Sequence, residues 1–122
     1  MPGSQRQNVL IVEDSPLLLL MAIDVVEDAG FNAISATNAD EAVAILESRP
    51  DIRLVFTDVD MPGSMDGMKL AAAVRDRWPP IEIIVVSGYR QVEDDDLPVR
   101  ARFFPKPYDA GAVTAAIREM AT

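Results

Sequence analysis

Residues 54–67 read LVFTDVDMPGSMDG, Leu54 to Gly67. An apolar run drives into an acidic pair, Asp58 and Asp60, and stops at Met61-Pro62-Gly63. The run has the length and the β-branched and aromatic character of a buried strand, and the Pro-Gly that follows is a turn signal. A carboxylate at the end of a buried strand is expensive to desolvate. The question is what the Asp58 charge is for.

The segments on either side supply a frame for it. Asn8 to Val12 is a short apolar run ending in Glu13, read as a strand buried on both faces. Ser15-Pro16 follows, a good N-cap with proline at the first helical position; the helix runs to about Ala29, where Gly30 stops it. Phe31 to Thr37 reads as a second strand, and Thr37 or Asn38 caps a helix over Ala39 to Glu47 that Arg49-Pro50 closes. Ile52 to Thr57 is the third strand and delivers Asp58. Met68 to Trp78 places Leu70, Ala71, Val74 and Trp78 on one helical face and ends at Pro79-Pro80. Ile81 to Ser87 is a fourth strand and Ala101 to Phe104 a short fifth. Pro105-Lys106-Pro107 makes a corner, and Asp109 to Met120 a last helix.

Strands alternating with helices predict βαβ units, right-handed crossovers and one parallel α/β sheet covered on both faces. In such sheets the functional crevice lies at the carboxyl ends of the strands. Glu13 and Asp14 follow strand one, Asp58 ends strand three, Ser87 ends strand four and Lys106 follows strand five. All five fall on that edge, although they are far apart in sequence.

Composition limits the chemistry. The 122 residues suit one domain, assigned to residues 8–122, with residues 1–7 expected to be disordered. With 49% hydrophobic residues a real core is available. A net charge of −9 argues against non-specific nucleic-acid binding and against docking on an anionic membrane. The absence of cysteine and histidine excludes disulfides, thiolate catalysis, zinc sites built on those residues and histidine general-base chemistry. MPGSQRQ has no apolar core of a signal peptide, and LLLLMAI is too short to span a bilayer, so a soluble cytoplasmic protein is expected.

Carboxylates gathered at one edge repel one another unless a hard cation sits among them. Mg²⁺ fits, because it takes oxygen ligands from one or two carboxylates, from water and from phosphate. A lysine and a serine hydroxyl nearby complete a pocket complementary to a phosphoryl group, with a carboxylate as nucleophile. The product is an aspartyl phosphate.

Four stretches, VLIVEDSP, FTDVDMPGSMDG, IIVVSGY and FFPKPYD, together make the chain resemble the receiver domain of two-component response regulators. The resemblance implies a flavodoxin-like (βα)₅ sandwich with a parallel five-stranded sheet in the order 2-1-3-4-5; the handedness and order are those of doubly wound folds. It implies Asp58 as phosphoacceptor and Asp14 as a direct Mg²⁺ ligand, with Glu13 acting largely through water and the Asp60 backbone carbonyl completing the protein ligands. Ser87 and Lys106 would contact the phosphoryl oxygens, and Ser87 and Phe103 would be the switch pair. The partners implied are a sensor histidine kinase, of HWE type by likeness to single-domain regulators, or a phosphotransfer protein, and then a downstream protein. The chain would be a stand-alone receiver without an output domain, signalling by phosphorylation-dependent contact or draining phosphate, and not an enzyme beyond its own phosphorylation and dephosphorylation. Two features depart from the family pattern: Gly63-Ser64 lengthens the loop after Pro62, and the interval from Ser87 to Phe103 is short.

Plainer readings stand beside these. Glu13-Asp14 also suits the start of the first helix and its dipole. Glu93 to Asp96 reads as a solvated loop. VFTDVDMP is similar to the nucleophile motif of haloacid-dehalogenase phosphatases, with Asp60 as general acid, but that motif normally opens its domain and here two βα units precede it. A pseudo-receiver that takes no phosphate is the other rival.

Two further expectations concern surfaces. Leu18, Met21, Ala22 and Val25 form an i, i+3, i+4, i+7 stripe that satisfies the core face of the first helix. Leu19, Leu20 and Ile23 are then surplus and are expected to form a partner-docking patch. Residues 88–100, GYRQVEDDDLPVR, bury little beyond Val92 and Leu97 and place Asp94, Asp95 and Asp96 in a row, so the fourth helix is expected to be short, frayed or missing.

Overall fold

The computed structural model describes residues 7–61, 65–88 and 92–121. Its elements run β1 (Asn8–Val12), α1 (Pro16–Asp28), β2 (Asn32–Ala36), α2 (Ala39–Ser48), β3 (Ile52–Asp58), α3 (Gly67–Arg77), β4 (Glu82–Ser87), β5 (Ala101–Pro105) and α4 (Ala110–Ala121). The five strands form one parallel sheet in the order β2-β1-β3-β4-β5. This is the expected flavodoxin-like fold.

Strand alternation builds two cores, one on each face. Val9, Ile11, Leu54, Phe56, Ile84 and Val86 point toward α1 and α4. Leu10, Val12, Val55, Ile83 and Val85 point the other way, toward α2 and α3, where they meet Leu46, Leu70 and Val74. β3 is the middle strand, paired to β1 and β4, so Asp58 is delivered from the best-supported position in the sheet.

The helix starts follow side-chain chemistry. Ser15 caps α1 by accepting from the Leu18 N–H, and Asn38 caps α2 by accepting from the Glu41 N–H. Asp66 caps α3 by accepting from the Lys69 N–H at 2.9 Å, which starts that helix one residue earlier than expected.

The buried stripe of α1 is rotated from the sequence reading. Ala22, Val25 and Val26 are buried, while Leu19 and Ile23 are half-buried and pack against the core. Met21, assigned to the core stripe, is 50% exposed. The helix meets both the sheet and α4, so its apolar contact is wider than one i, i+4 row.

Between β4 and β5 the described residues hold no α-helix, only a single 3₁₀ turn at Asp94–Asp96. Val92 is buried and Leu97 half-buried beneath it. The far end of this crossover is fastened by Arg75 of α3, whose guanidinium donates to the carbonyls of Val99 (2.7 Å), Pro79 (2.6 Å) and Arg100 (3.4 Å). Arg100 itself adopts a left-handed φ of 58°, just before β5 begins. A short crossover with three consecutive acids thus reaches β5 through backbone anchoring.

Gln7, assigned to the disordered segment, is among the described residues, and its carbonyl accepts the Asn32 N–H at 2.9 Å. Residues 1–6, and the lengthened loop at Gly63-Ser64, lie outside the described residues.

Candidate phosphoryl-acceptor site

The carboxyl edge of the sheet brings Glu13, Asp14, Asp58, Asp60, Ser87 and Lys106 together. Glu13 continues β1, its N–H donating to the Ala36 carbonyl at 3.0 Å, and it is buried. Its carboxylate accepts from the Ser15 N–H at 3.1 Å, so it steadies the start of α1 as well as facing the site. Asp14 is exposed beside it.

Asp58 closes β3 with 4% of its surface exposed. The Lys106 ammonium lies 3.1 Å from Asp58 Oδ1 and 3.4 Å from Glu13 Oε1. That approach to Asp58 has ion-pair distance without hydrogen-bond alignment, and Oδ1 has no hydrogen-bond partner among the described atoms. Lys106 is held there by its own backbone, whose N–H donates to the Ser87 carbonyl at 2.9 Å and so ties the end of β5 to the end of β4.

Burial pushes the Asp58 carboxyl above its ordinary value, against the opposing pull of Lys106 and a hydrogen bond from the Asp60 backbone N–H. Burial raises Glu13 in the same way, the Ser15 N–H and Lys106 opposing it and Asp58 adding repulsion. For Lys106, burial alone lowers the pKa, but Asp58 and Glu13 together carry it above the usual lysine value. The pocket is therefore short of positive charge: three carboxylates, Glu13, Asp14 and Asp58, face one ammonium.

One carboxylate oxygen from each of Glu13, Asp14 and Asp58 lies within 4.8 Å of the others. An oxygen-only donor set, excess negative charge and a buried carboxylate oxygen without a hydrogen-bond donor fit a hard divalent cation such as Mg²⁺. Nothing in the donor set favours a soft metal.

Ser87 ends β4, and its hydroxyl donates to Asp60 Oδ2 at 2.7 Å. This link joins two candidate residues through the Asp60 side chain, to which the receiver resemblance gave no role, only its backbone carbonyl. Phe103 lies on β5, half-buried and packed against the α2–α3 core, while Phe104 packs on the α1–α4 side. Of the proposed docking residues, Leu20 is 62% exposed, whereas Leu19 and Ile23 are partly used by the core. Leu17 and Met21 are exposed instead and were not foreseen. At the same edge of the sheet, Leu18, Met21, Phe56, Val86, Tyr108 and Lys106 line a mostly apolar cleft of about 390 Å³.

Gly67 was also missed. A Cβ there would lie 2.7 Å from Val59 Cα and 2.8 Å from the Asp58 carbonyl carbon, so the start of α3 presses directly on the backbone that carries Asp58. The Gly67 N–H donates to the Val59 carbonyl at 3.0 Å. The only sequence signal was an Asp-Gly at a helix start.

Residues 9–118 match the family described as the response regulator receiver domain. Among curated relatives, the nitrogen assimilation regulatory protein NtrX of Azorhizobium caulinodans is 31% identical over 84% of this chain. The chain spans only 23% of that protein. The response regulator receiver protein CpdR of Brucella abortus is 27% identical, covering 93% of this chain and 96% of its own length. A crystal structure of a response regulator receiver protein from Pseudomonas putida is 29% identical with a TM-score of 0.81, covering 94% of this chain and 98% of that one. One from Sinorhizobium medicae reaches a TM-score of 0.88 at 24% identity, covering 96% and 95%, and speaks to the fold.

Proposed function

This chain belongs to the response regulator receiver domain family, and from that premise we propose that it accepts a phosphoryl group on Asp58 from a sensor histidine kinase or a phosphotransfer protein and passes the signal on by protein contact. The observation that carries the reading is the buried Asp58 carboxylate, with Oδ1 lacking a hydrogen bond, set against Lys106 within a cluster of acidic oxygens. Lys106 holds this carboxylate by charge at 3.1 Å without an aligned hydrogen bond to Oδ1, at an edge where Glu13 and Asp14 also gather.

An Asp58 carboxylate oxygen attacks the phosphorus of the donor. The bond from phosphorus to the donor nitrogen, or to the acyl oxygen of acetyl phosphate, breaks with its electron pair leaving on the donor, and an aspartyl phosphate forms. Lys106 meets the charge of the phosphoryl oxygens, and Ser87 supplies a hydroxyl donor to them. Glu13, Asp14, Asp58 and the Asp60 backbone carbonyl would hold Mg²⁺, which when bound supplies positive charge against the repulsion between carboxylate and phosphoryl. Phe103 follows Ser87 as the aromatic switch.

The apolar cleft lined from α1 by Leu18, Met21 and Ala22, together with the exposed Leu17 and Leu20 of the same helix, supports docking of the phosphodonor there. An HWE-type kinase is the partner proposed from the likeness of the chain to single-domain regulators. CpdR, a response regulator receiver protein matched over nearly its whole length, supports a receiver that works without a fused output domain, whether it signals or drains phosphate. Among the described residues no helix is long and apolar enough to cross a membrane.

Incubation with acetyl phosphate and Mg²⁺, followed by intact mass measurement, tests this. One phosphoryl mass per chain, lost in EDTA, is expected. Continuous turnover of the donor without a stable adduct would favour the phosphatase, and no reaction would favour the pseudo-receiver.

A further inference from the structure

We propose that the Asp60 side chain is a positioning residue that holds the Ser87 hydroxyl in the resting state and so sets how strongly the site must be engaged before it switches. The inference rests on the reading of Asp58 as acceptor and Ser87 as a phosphoryl contact.

Ser87 is 1% exposed, and its Oγ donates to Asp60 Oδ2 at 2.7 Å. A serine hydroxyl carries a single proton. While that proton serves Asp60, it cannot serve an oxygen attached to Asp58. The acceptor is a carboxylate, which makes the bond short and charge-assisted, stronger than one between neutral groups. Asp60 lies two residues beyond the acceptor on the segment leaving β3, and Ser87 lies one step past Val86, the residue paired with Asp58 across the sheet. The bond therefore fastens the exit of β3 to the end of β4, the two segments whose side chains must turn toward a phosphoryl group. Recruiting Ser87 means breaking this bond first, so the Asp60 carboxylate competes with the phosphoryl group for one proton.

A second effect of the same charge must be separated from this one. A carboxylate near the acceptor repels any anion arriving there, whatever Ser87 does. The two differ in whether the effect of Asp60 needs the hydroxyl, which a double-mutant cycle reads directly.

The test titrates the full chain, saturated with Mg²⁺, with beryllofluoride, a phosphoryl mimic, and follows bound fluorine by ¹⁹F NMR. The proteins are wild type, Asp60→Ala, Asp60→Asn, Ser87→Ala and Asp60→Ala with Ser87→Ala. Denaturant midpoints establish that each is folded; Asp60→Asn, which keeps the side-chain shape, carries the test if the alanine variant is not. Asp60→Ala should tighten beryllofluoride binding on the order of tenfold, the scale of one hydrogen bond to a charged group after water replaces it. Asp60→Asn should tighten it less, because its amide oxygen still accepts from Ser87. With Ser87→Ala in place, removing Asp60 should tighten binding several-fold less than it does in the wild type, leaving only the repulsion. Equal tightening with and without the hydroxyl would overturn the latch in favour of plain repulsion, and no tightening in the presence of Ser87 would overturn it outright. If the wild type binds no beryllofluoride at all, the acceptor reading falls and the latch with it.

Discussion

Gly67→Ala asks whether the backbone of α3 truly rests on the strand that ends in Asp58. The added Cβ would sit 2.7 Å from Val59 Cα and 2.8 Å from the Asp58 carbonyl carbon, and closer still to the Asp58 carbonyl oxygen. Carbon atoms at ordinary contact are about 3.5–4.0 Å apart, so about 1 Å of separation must be found. Every atom in the way is backbone and cannot rotate aside. Overpacking of this kind costs about 1–3 kcal/mol, and the shift also strains the Gly67 N–H bond to Val59. The gain in helix propensity, at most about 1 kcal/mol and smaller at a first helical residue, offsets little of it. A net loss of about 2 kcal/mol is expected in urea unfolding followed by circular dichroism. Displacing Asp58 by a fraction of an ångström should also slow labelling by acetyl phosphate on the order of tenfold or more. Gly111→Ala is the internal comparison: its Cβ would meet only Asp109 Oδ1, at the ordinary distance of 3.6 Å, inside α4. That change should be neutral or stabilising by up to about 1 kcal/mol. If Gly67→Ala were as stable and as readily labelled as Gly111→Ala, the close approach of α3 to Asp58 would be wrong.

Metal-free protein should lose stability from acid toward neutral pH through Asp58 and Glu13. Their folded pKa values lie above the ordinary values of 3.8 and 4.5, so their contribution is fully present below those values and is lost as pH rises through the folded ones. Asp58→Asn in EDTA should therefore raise the urea midpoint at pH 7, with a gain that shrinks toward pH 4; a gain that grew on acidification would refute this. Leu20→Asp should slow phosphotransfer from a kinase while sparing acetyl phosphate, whereas Leu19→Asp, set against the core, should lower the unfolding midpoint as well; equal loss with both donors for Leu20→Asp would count against docking on α1. Amide exchange of residues 92–97 should be faster than in α1 and should slow when beryllofluoride is added. Protection equal to α1 before activation would contradict an activation that orders this crossover.

The fold class was legible because the strongest signals are cooperative. β-branched runs at β1, β3 and β4 are buried on both faces, and their carboxyl ends carry the polar residues, so the parallel sheet and the candidate site emerged together, while the strand order came only from the family resemblance. The face of α1 was less legible: Leu17 to Ile23 is apolar all round, and periodicity alone does not say that Leu19, Ile23 and Val26 join the core shared with the sheet and α4 while Met21 stays outside. The row of aspartates in the β4–β5 crossover did announce a weak helix through like-charge repulsion. The Arg75 anchor did not show, since a guanidinium binding three carbonyls leaves no mark in sequence. Gly67 and the Asp60 side chain were missed for one reason: their roles are contacts between segments, which depend on an approach distance and a rotamer that residue types do not encode.

The most direct measurement locates the phosphoryl group. Protein labelled with acetyl phosphate and Mg²⁺ is reduced with borohydride, which converts an aspartyl phosphate to homoserine, and the peptides are fragmented in a mass spectrometer. Homoserine at position 58, absent after labelling in EDTA, is the expected result. Conversion at Asp14 or Asp60 with position 58 untouched, or no conversion in a protein that has gained the phosphoryl mass, would contradict the assignment of Asp58 as acceptor.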